Sequence, residues 1–398
     1  MPALRIAVTG LAFTYPLGGV FWDYVQYLLG LFRLGHDVWY IEDTGKWCYD
    51  PRAYTFVEDG SRNAQSLARQ LERLDPGLRE RWFYRDGSGR TFGRTWSEVK
   101  QFCRDADLFI HISASCLMRE EYFAAHRVAF IDSDPMYTQA YIPPYLDGTL
   151  AEEHRYRMEI LRRHDVFFTF AENIGAPDCR VPTELIHWIP TRQPIVLEAF
   201  EGAMVPLADR RRVLTTVASW EPTERGPVVH GVAYLGKSAE FERFLDMPAH
   251  SALPLELALS GRIPADRLKA HGWQVRDALD ISYDPWVYRD YLARSWGEWS
   301  VAKNAYVASR SGWFSCRTAC YLALGVPAVV QDTGFSRIIP SREGLLAFET
   351  REEASAAIES LRSAPERHSR AASAIAREYF DSRVILDRLV ENALAETR

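Results

Sequence analysis

The sequence predicts an α/β protein of two Rossmann-like, doubly wound domains that face each other across a cleft. Three observations predict it. Short apolar runs alternate with amphipathic stretches from the amino terminus onward, the pattern of parallel strands joined by crossover helices. The alternation stops in a proline-bounded segment and then starts again. At 398 residues, the chain also exceeds one ordinary core and suits two domains of about 150–200 residues each.

The elements follow in order. LRIAVTG reads as a buried strand, the loop through Gly18-Gly19 leads into the amphipathic helix VFWDYVQYLLGLFRLG, and HDVWYIED is the next strand. This βαβ opening implies a parallel sheet covered on both faces. Further strands are expected at DLFIHIS (107–113), RVAFID (127–132) and DVFFTFA (165–171). The arginine-rich stretch from about 60 to 100, a helical run followed by the turn DGSGR, reads as a surface insertion. IPTRQPIVLEAFEGAMVP (189–206) has prolines near each end and no clear period. It places a linker at 191–210, between a first domain at 1–190 and a second at 211–364. In the second series RVLTTVASW (212–220), LELALSG (255–261) and AVV (328–330) read as strands. Helices are expected at SAEFERFLD, DPWVYRDYLARS and REEASAAIESLRS, and residues 365–398 form a helical segment that packs back toward the first domain.

Bulk properties exclude several classes. Hydrophobic content of 47% and aromatic content of 13% supply two cores, while a net charge of −6 leaves no basic excess to displace phosphate counterions. General nucleic-acid binding is therefore not expected. No apolar run reaches the roughly 18 residues of a membrane span, and MPALRIAVTG enters a strand directly instead of forming a signal peptide. The six cysteines are scattered without a CxxC pair, as in a cytoplasmic protein with reduced thiols. TGLAFTYPLGG and SWEPTERG both fail the G-x-G-x-x-G fingerprint, and no Walker A sequence occurs, so no dinucleotide cofactor is expected.

The densest signal is SGWFSCRTACYLALGVPAVVQDTGFSR (311–337). Ser315 is a natural N-cap, CRTACYLAL has helical length, Gly325 suits a left-handed C′ position and Pro327 stops continuation. A short strand, AVV, and the polar loop QDTG follow. With Ser315, Arg317 and Thr318 at its amino end, this helix is a candidate anion site, because free amides, a positive dipole end and a guanidinium converge there. In QDTG, Asp332, Thr333 and Gly334 either hold ligand hydroxyls or form a plain turn.

This architecture resembles the GT-B glycosyltransferases over nearly the whole chain. Trp313-Phe314-Ser315, Tyr321-Leu322-Ala323 and Gly325-Val326-Pro327-Ala328-Val329 stand where the glycogen-synthase-like branch has Glu-Gly-Phe-Gly, Leu-Glu-Ala and Gly-x-Pro-Val-Val. Its two acidic positions hold Gly312 and Cys320, so the roles of those glutamates do not carry over. The resemblance implies a nucleotide-sugar donor, of UDP or TDP type, on the second domain and an acceptor on the first. The helix start, Lys237 in YLGKS, Glu298 as a ribose ligand and Trp273 beside the base are the donor-side candidates, each with a structural alternative. Gly18 and Gly19 form the acceptor-side loop. Asp23, Asp132, Asp134 and Glu172, all on or just past first-domain elements, compete as the catalytic carboxylate. Asn173 accompanies Glu172, and His111, inside an apolar strand, reads as a core histidine.

The expected activity is metal-independent transfer of a sugar to a small-molecule acceptor such as a natural product, without a cofactor. Helix dipole, Arg317 and Lys237 would meet the charge of the departing diphosphate. A nucleotide-sugar 2-epimerase or a non-catalytic nucleotide-sugar binder are the alternatives with the same fold.

Overall fold

The computed structural model describes residues 2–220 and 226–395, so most of SWEPTERG lies outside the described residues. The first domain contains β1 (Arg5–Thr9), β2 (Asp37–Asp43), β3 (Cys48–Asp50), β4 (Thr55–Val57), β5 (Trp82–Arg85), β6 (Thr91–Gly93), β7 (Leu108–Ile112), β8 (Arg127–Asp132), β9 (Val166–Thr169) and β10 (Trp188–Pro190). Eight of them form one sheet in the order β10-β9-β8-β7-β1-β2-β5-β6, parallel except for the β5–β6 edge. The second domain contains β11 (Arg211–Trp220), β12 (Val228–Val229), β13 (Val232–Ala233), β14 (Leu255–Gly261), β15 (Gln274–Asp277), β16 (Ser295–Ser300), β17 (Ala328–Gln331) and β18 (Leu345–Phe348). Its parallel sheet runs β15-β14-β11-β16-β17-β18. In both sheets the strand order reverses beside the first strand, at β1/β7 and at β11/β16. Those are the crevices in which a doubly wound sheet binds ligands.

One region differs from the sequence expectation, and β16 lies in a stretch to which the sequence assigns no element. The 60–100 stretch is no surface insertion: after a helix over Ser61–Leu74, β5 and β6 extend the main sheet beyond β2. The run WFYR carries its apolar residues without the length or alternation that marks a strand, and only pairing with Tyr40–Asp43 makes it one. β16, SWGEWS, alternates tryptophan with small and charged residues, yet all six residues are buried between β11 and β17.

The chain crosses between the domains twice. Helix Pro365–Tyr379 packs on helix Cys316–Ala323 of the second domain, and helix Ser382–Leu394 returns to the first domain against helix Gly18–Arg33. The crossings are tied together, since Ile195 N–H donates to Phe380 O at 2.7 Å and Ser382 N–H donates to Ile195 O at 2.9 Å. Gln193 and Gln26 then bind the linker to the first helix, through Asp23 O and Val196 N–H. No helix among the described residues is long and apolar enough to cross a membrane.

His111 on β7 and His164 form a buried pair, with His111 Nδ1 3.0 Å from His164 Nε2. His164 Nδ1 lies 2.9 Å from Leu161 O, and Cys116 N–H donates to His111 Nε2. This chain of donors and acceptors closes only with both rings neutral. Burial pushes both pKa values down, that of His164 to about 4. The unfolded chain therefore binds protons first as pH falls below ~6.5. The stability that the neutral pair supplies is complete above that pH and is lost between it and about 4. Urea unfolding is expected to show a lower midpoint at pH 5 than at pH 7, with a smaller pH difference in His164→Leu.

Candidate functional site

A cavity of about 280 Å³ lies between the domains. Leu17, Gly19, Val20, Trp22 and Asp23 line it from the first domain. Ser219 and Ser260, at the carboxyl ends of β11 and β14, line it from the second, together with Tyr288, Ser315, Cys316, Arg317 and Cys320. A smaller recess adjoins it around Ser315 and Arg317, walled by Lys237, Ser300, Trp313, Thr318 and Thr333. The helix Cys316–Ala323 thus points its amino end at both spaces. Ser315 sits at the N-cap with extended backbone but makes no side-chain capping bond. Contrary to the sequence expectation, its hydroxyl is not used to close the helix, and the residue lines both spaces. Thr318 Oγ1 is buried without a partner among the described residues.

Arg317 has a different position from the one expected of a phosphate ligand. Its Nε donates to Glu298 Oε1 at 2.7 Å, Nη1 to Val217 O at 2.7 Å and Nη2 to Ser300 Oγ at 2.9 Å. The guanidinium joins β11 to β16 where the strand order reverses, and its side chain is only 12% exposed. Glu298 is fully buried and its partner is this arginine, so its side chain does not reach a ribose. Lys237 begins the helix Lys237–Arg243 on the wall of the recess.

Several other candidates have structural work. Trp273 packs against Phe241 and Trp299, and its indole N–H donates to Leu245 O, so its ring is core and does not face a base. Asp332 Oδ1 accepts from Gly334 N–H and its Oδ2 from the Ser336 hydroxyl, which makes QDTG a closed turn with Gly334 at φ +99°. Thr333 donates to Trp313 O. The polar loop is therefore folded onto residues 310–313, with Asp332 spent within the turn and Thr333 left on the wall of the recess.

The four first-domain carboxylates separate clearly. Asp132 is buried at the end of β8, accepting from Gln139, Thr169 and Thr138, and desolvation raises it to about 6. Asp134 pairs with Lys303 across the domains at 2.8 Å. Glu172 pairs with Arg192, and burial still raises its pKa. Asp23 is the one that lines the cavity. It lies in the second turn of the helix Gly18–Arg33, beyond the turn where the helix dipole alone explains an acid. Desolvation raises its pKa to about 6; the Cys316 thiol opposes this by hydrogen bonding, and the charge of Asp134 adds to it.

Glycines allow the domains to meet closely. A Cβ on Gly18 would lie 2.4 Å from Tyr288 Cβ, while Gly19 has room. Gly312, at φ +79°, would put a Cβ 2.5 Å from Asn173 N. Asn173 N–H donates to Ser311 O, and its side chain donates to Arg310 O. Gly312 is thus required at this position for a steric reason. The cavity-lining Ser219, Ser260, Tyr288, Cys316 and Cys320 were not among the candidates. Serines at the carboxyl ends of two parallel strands were the available signal, whereas the inward face of Cys316 and Cys320 appears only once the domains meet.

Two outcomes follow. Arg317→Met is expected to cost about 3–5 kcal/mol because it strands a buried carboxylate, and adding Glu298→Leu is expected to recover much of that loss in a urea double-mutant cycle. Gly312→Ala is expected to lower stability by about 1–3 kcal/mol through its left-handed backbone and the Asn173 clash, measured by thermal unfolding.

No family model matches the chain, and no curated protein matches it. Solved structures do. An alpha-glucosyltransferase (AGT) in complex with UDP is similar at TM-score 0.61 and 12% identity, over 99% of this chain and 100% of that one. AviGT4, a glycosyltransferase involved in avilamycin A biosynthesis, is similar at TM-score 0.52 and 14% identity, over 98% and 97% of the two chains. A glycosyltransferase from Rickettsia africae ESF-5 gives 0.53 and 12% over the full length of both. With strand order, cleft and returning carboxyl-terminal helix in place, the chain has the GT-B fold of these glycosyltransferases.

Proposed function

We propose that this protein is a glycosyltransferase that moves a sugar from a nucleoside diphosphate donor to a small-molecule acceptor. The observation that carries the reading is the interdomain cavity, into which Asp23 from one domain and the open amino end of helix Cys316–Ala323 from the other both face. The UDP complex of the similar alpha-glucosyltransferase supports a nucleotide sugar as donor. The diphosphate lies at the helix amides and Ser315, with Lys237 on the recess wall beside them. Arg317, neutralised by Glu298, positions that helix end instead of gripping phosphate. Asp23 takes the proton from an acceptor hydroxyl as its oxygen bonds to the anomeric carbon. The bond from that carbon to the diphosphate oxygen breaks, and the diphosphate leaves with the electron pair. Groups held in place before the reaction stabilise the charge as it develops on the departing diphosphate.

A thermal-shift screen against UDP, TDP and their sugars tests the donor. Stabilisation by one of them is expected, and no shift with any would sink the proposal. Incubation with the stabilising donor alone should leave it unchanged, because an isomerised donor would mark an epimerase. Asp23 acts ionised, so turnover should rise with pH through about 6. Asp23→Asn should lower kcat by ~10²–10⁴ and remove that acid limb, while the nucleotide thermal shift persists. Chelation with EDTA should leave turnover unchanged.

A further inference from the structure

The β3–β4 hairpin reverses the usual two-sided pattern of a surface ribbon. Its register pairs Cys48 with Val57, Tyr49 with Phe56 and Asp50 with Thr55. Cys48 turns inward, fully buried, and its thiol donates to Val57 O. By strand alternation the other face carries Trp47, Tyr49 and Phe56, where a solvated hairpin would carry polar side chains. Trp47 is 55% exposed, Phe56 48% and the adjoining Tyr54 62%. Tyr54 also has φ +54°, a left-handed conformation that is unusual for a bulky residue and would be relieved by glycine or asparagine. Large rings exposed together in this way mark a binding surface.

The surface is continuous with the cleft. Phe56 packs edge-on against Tyr49 at 5.5 Å and against Tyr15 at 5.9 Å. Tyr15 O accepts from Leu17 N–H, and Leu17 lines the interdomain cavity. Tyr49 N–H donates to Thr14 O, which fastens the hairpin to the same loop. That loop is itself held by buried Glu42, which accepts from the Phe13 and Thr14 amides. The Tyr49 hydroxyl lies within electrostatic reach of Tyr54 and, from the second domain, of Asp277 at the end of β15. Tyr15, Phe56 and Tyr49 therefore form a run of touching rings that starts beside the cavity-lining Leu17.

Charge narrows the occupant. Residues 44–62 carry Lys46, Arg52 and Arg62 against Asp50, Glu58 and Asp59. Arg62 lies 3.9 Å from Asp50, and Asp59 is paired with Arg90. There is no net positive stripe to follow a phosphate backbone or an anionic bilayer. We infer that the β3–β4 hairpin is the acceptor platform of the proposed transferase, and that the acceptor presents an uncharged, planar ring system which stacks on Trp47, Tyr54 and Phe56 while its hydroxyl enters the cavity. The inference rests on the glycosyltransferase reading for the word acceptor; the ring-binding surface stands apart from it.

The test uses the full chain and 2-naphthol as an uncharged planar probe, with binding followed by calorimetry. Trp47→Ser/Tyr54→Ser/Phe56→Ser is expected to bind it at least ~10-fold more weakly, since several aromatic contacts are lost, and to retain the native circular dichroism and the nucleotide thermal shift. Equal probe binding by both proteins, or none by the wild type, would overturn the inference. So would sedimentation showing that the rings instead hold two copies together, or loss in the variant of binding to duplex DNA or phosphatidylglycerol vesicles. If nucleotides give no shift while 2-naphthol binding depends on the three rings, the donor reading fails and the ring surface survives.

Discussion

The buried pair of Arg317 and Glu298 is the contact on which the second domain's site depends. Glu298 comes from β16, Arg317 from the helix after it, and the same guanidinium reaches Val217 O on β11 and Ser300 at the end of β16. Two strands that diverge at the reversal of the sheet are thereby joined under the amino end of one helix. A charge buried this deeply is tolerated because each face of the guanidinium fork meets an acceptor. The outcome is a helix end with open amides held at a fixed place beside the cavity, which is what anion binding needs.

Interdomain packing does the rest of the positioning. Gly18 admits Tyr288 and Gly312 admits Asn173 at distances no side chain would allow. Asp134–Lys303 and the indole N–H of Trp313, which donates to Ser133 O, add polar contacts on the same side. The linker and the returning carboxyl-terminal segment are bonded to each other through Ile195, so the two crossings behave as one connection. Asp23 faces the cavity because its helix is held between that connection and the second domain. The other carboxylates are consumed by partners: Asp132 by three side chains, Asp134 by Lys303 and Glu172 by Arg192.

What could be read in advance was local. LRIAVTG, HDVWYIED and DLFIHIS are buried strands because their apolar runs have no other low-energy fate between turn signals. Ser315, Gly325 and Pro327 marked the bounds of the motif helix, and Gly325 does take φ +68°. Where the local pattern was ambiguous, pairing decided: WFYR became a sheet strand beside Tyr40–Asp43, and SWGEWS was buried by neighbours on both sides.

The sequence by itself determined two α/β units, a helix after Ser315 and a set of polar residues beside its amino end. Periodicity, capping and glycine placement act within a few residues, so they are visible in one dimension. Only the tertiary structure decided which polar groups are spent on each other and which face a cavity. Arg317 and Glu298 are nineteen positions apart, and Asp23 meets Cys316 from the opposite domain. Partners of that kind are chosen by the packing of whole sheets and domains, because burying a polar group without one costs more than local preference can offset.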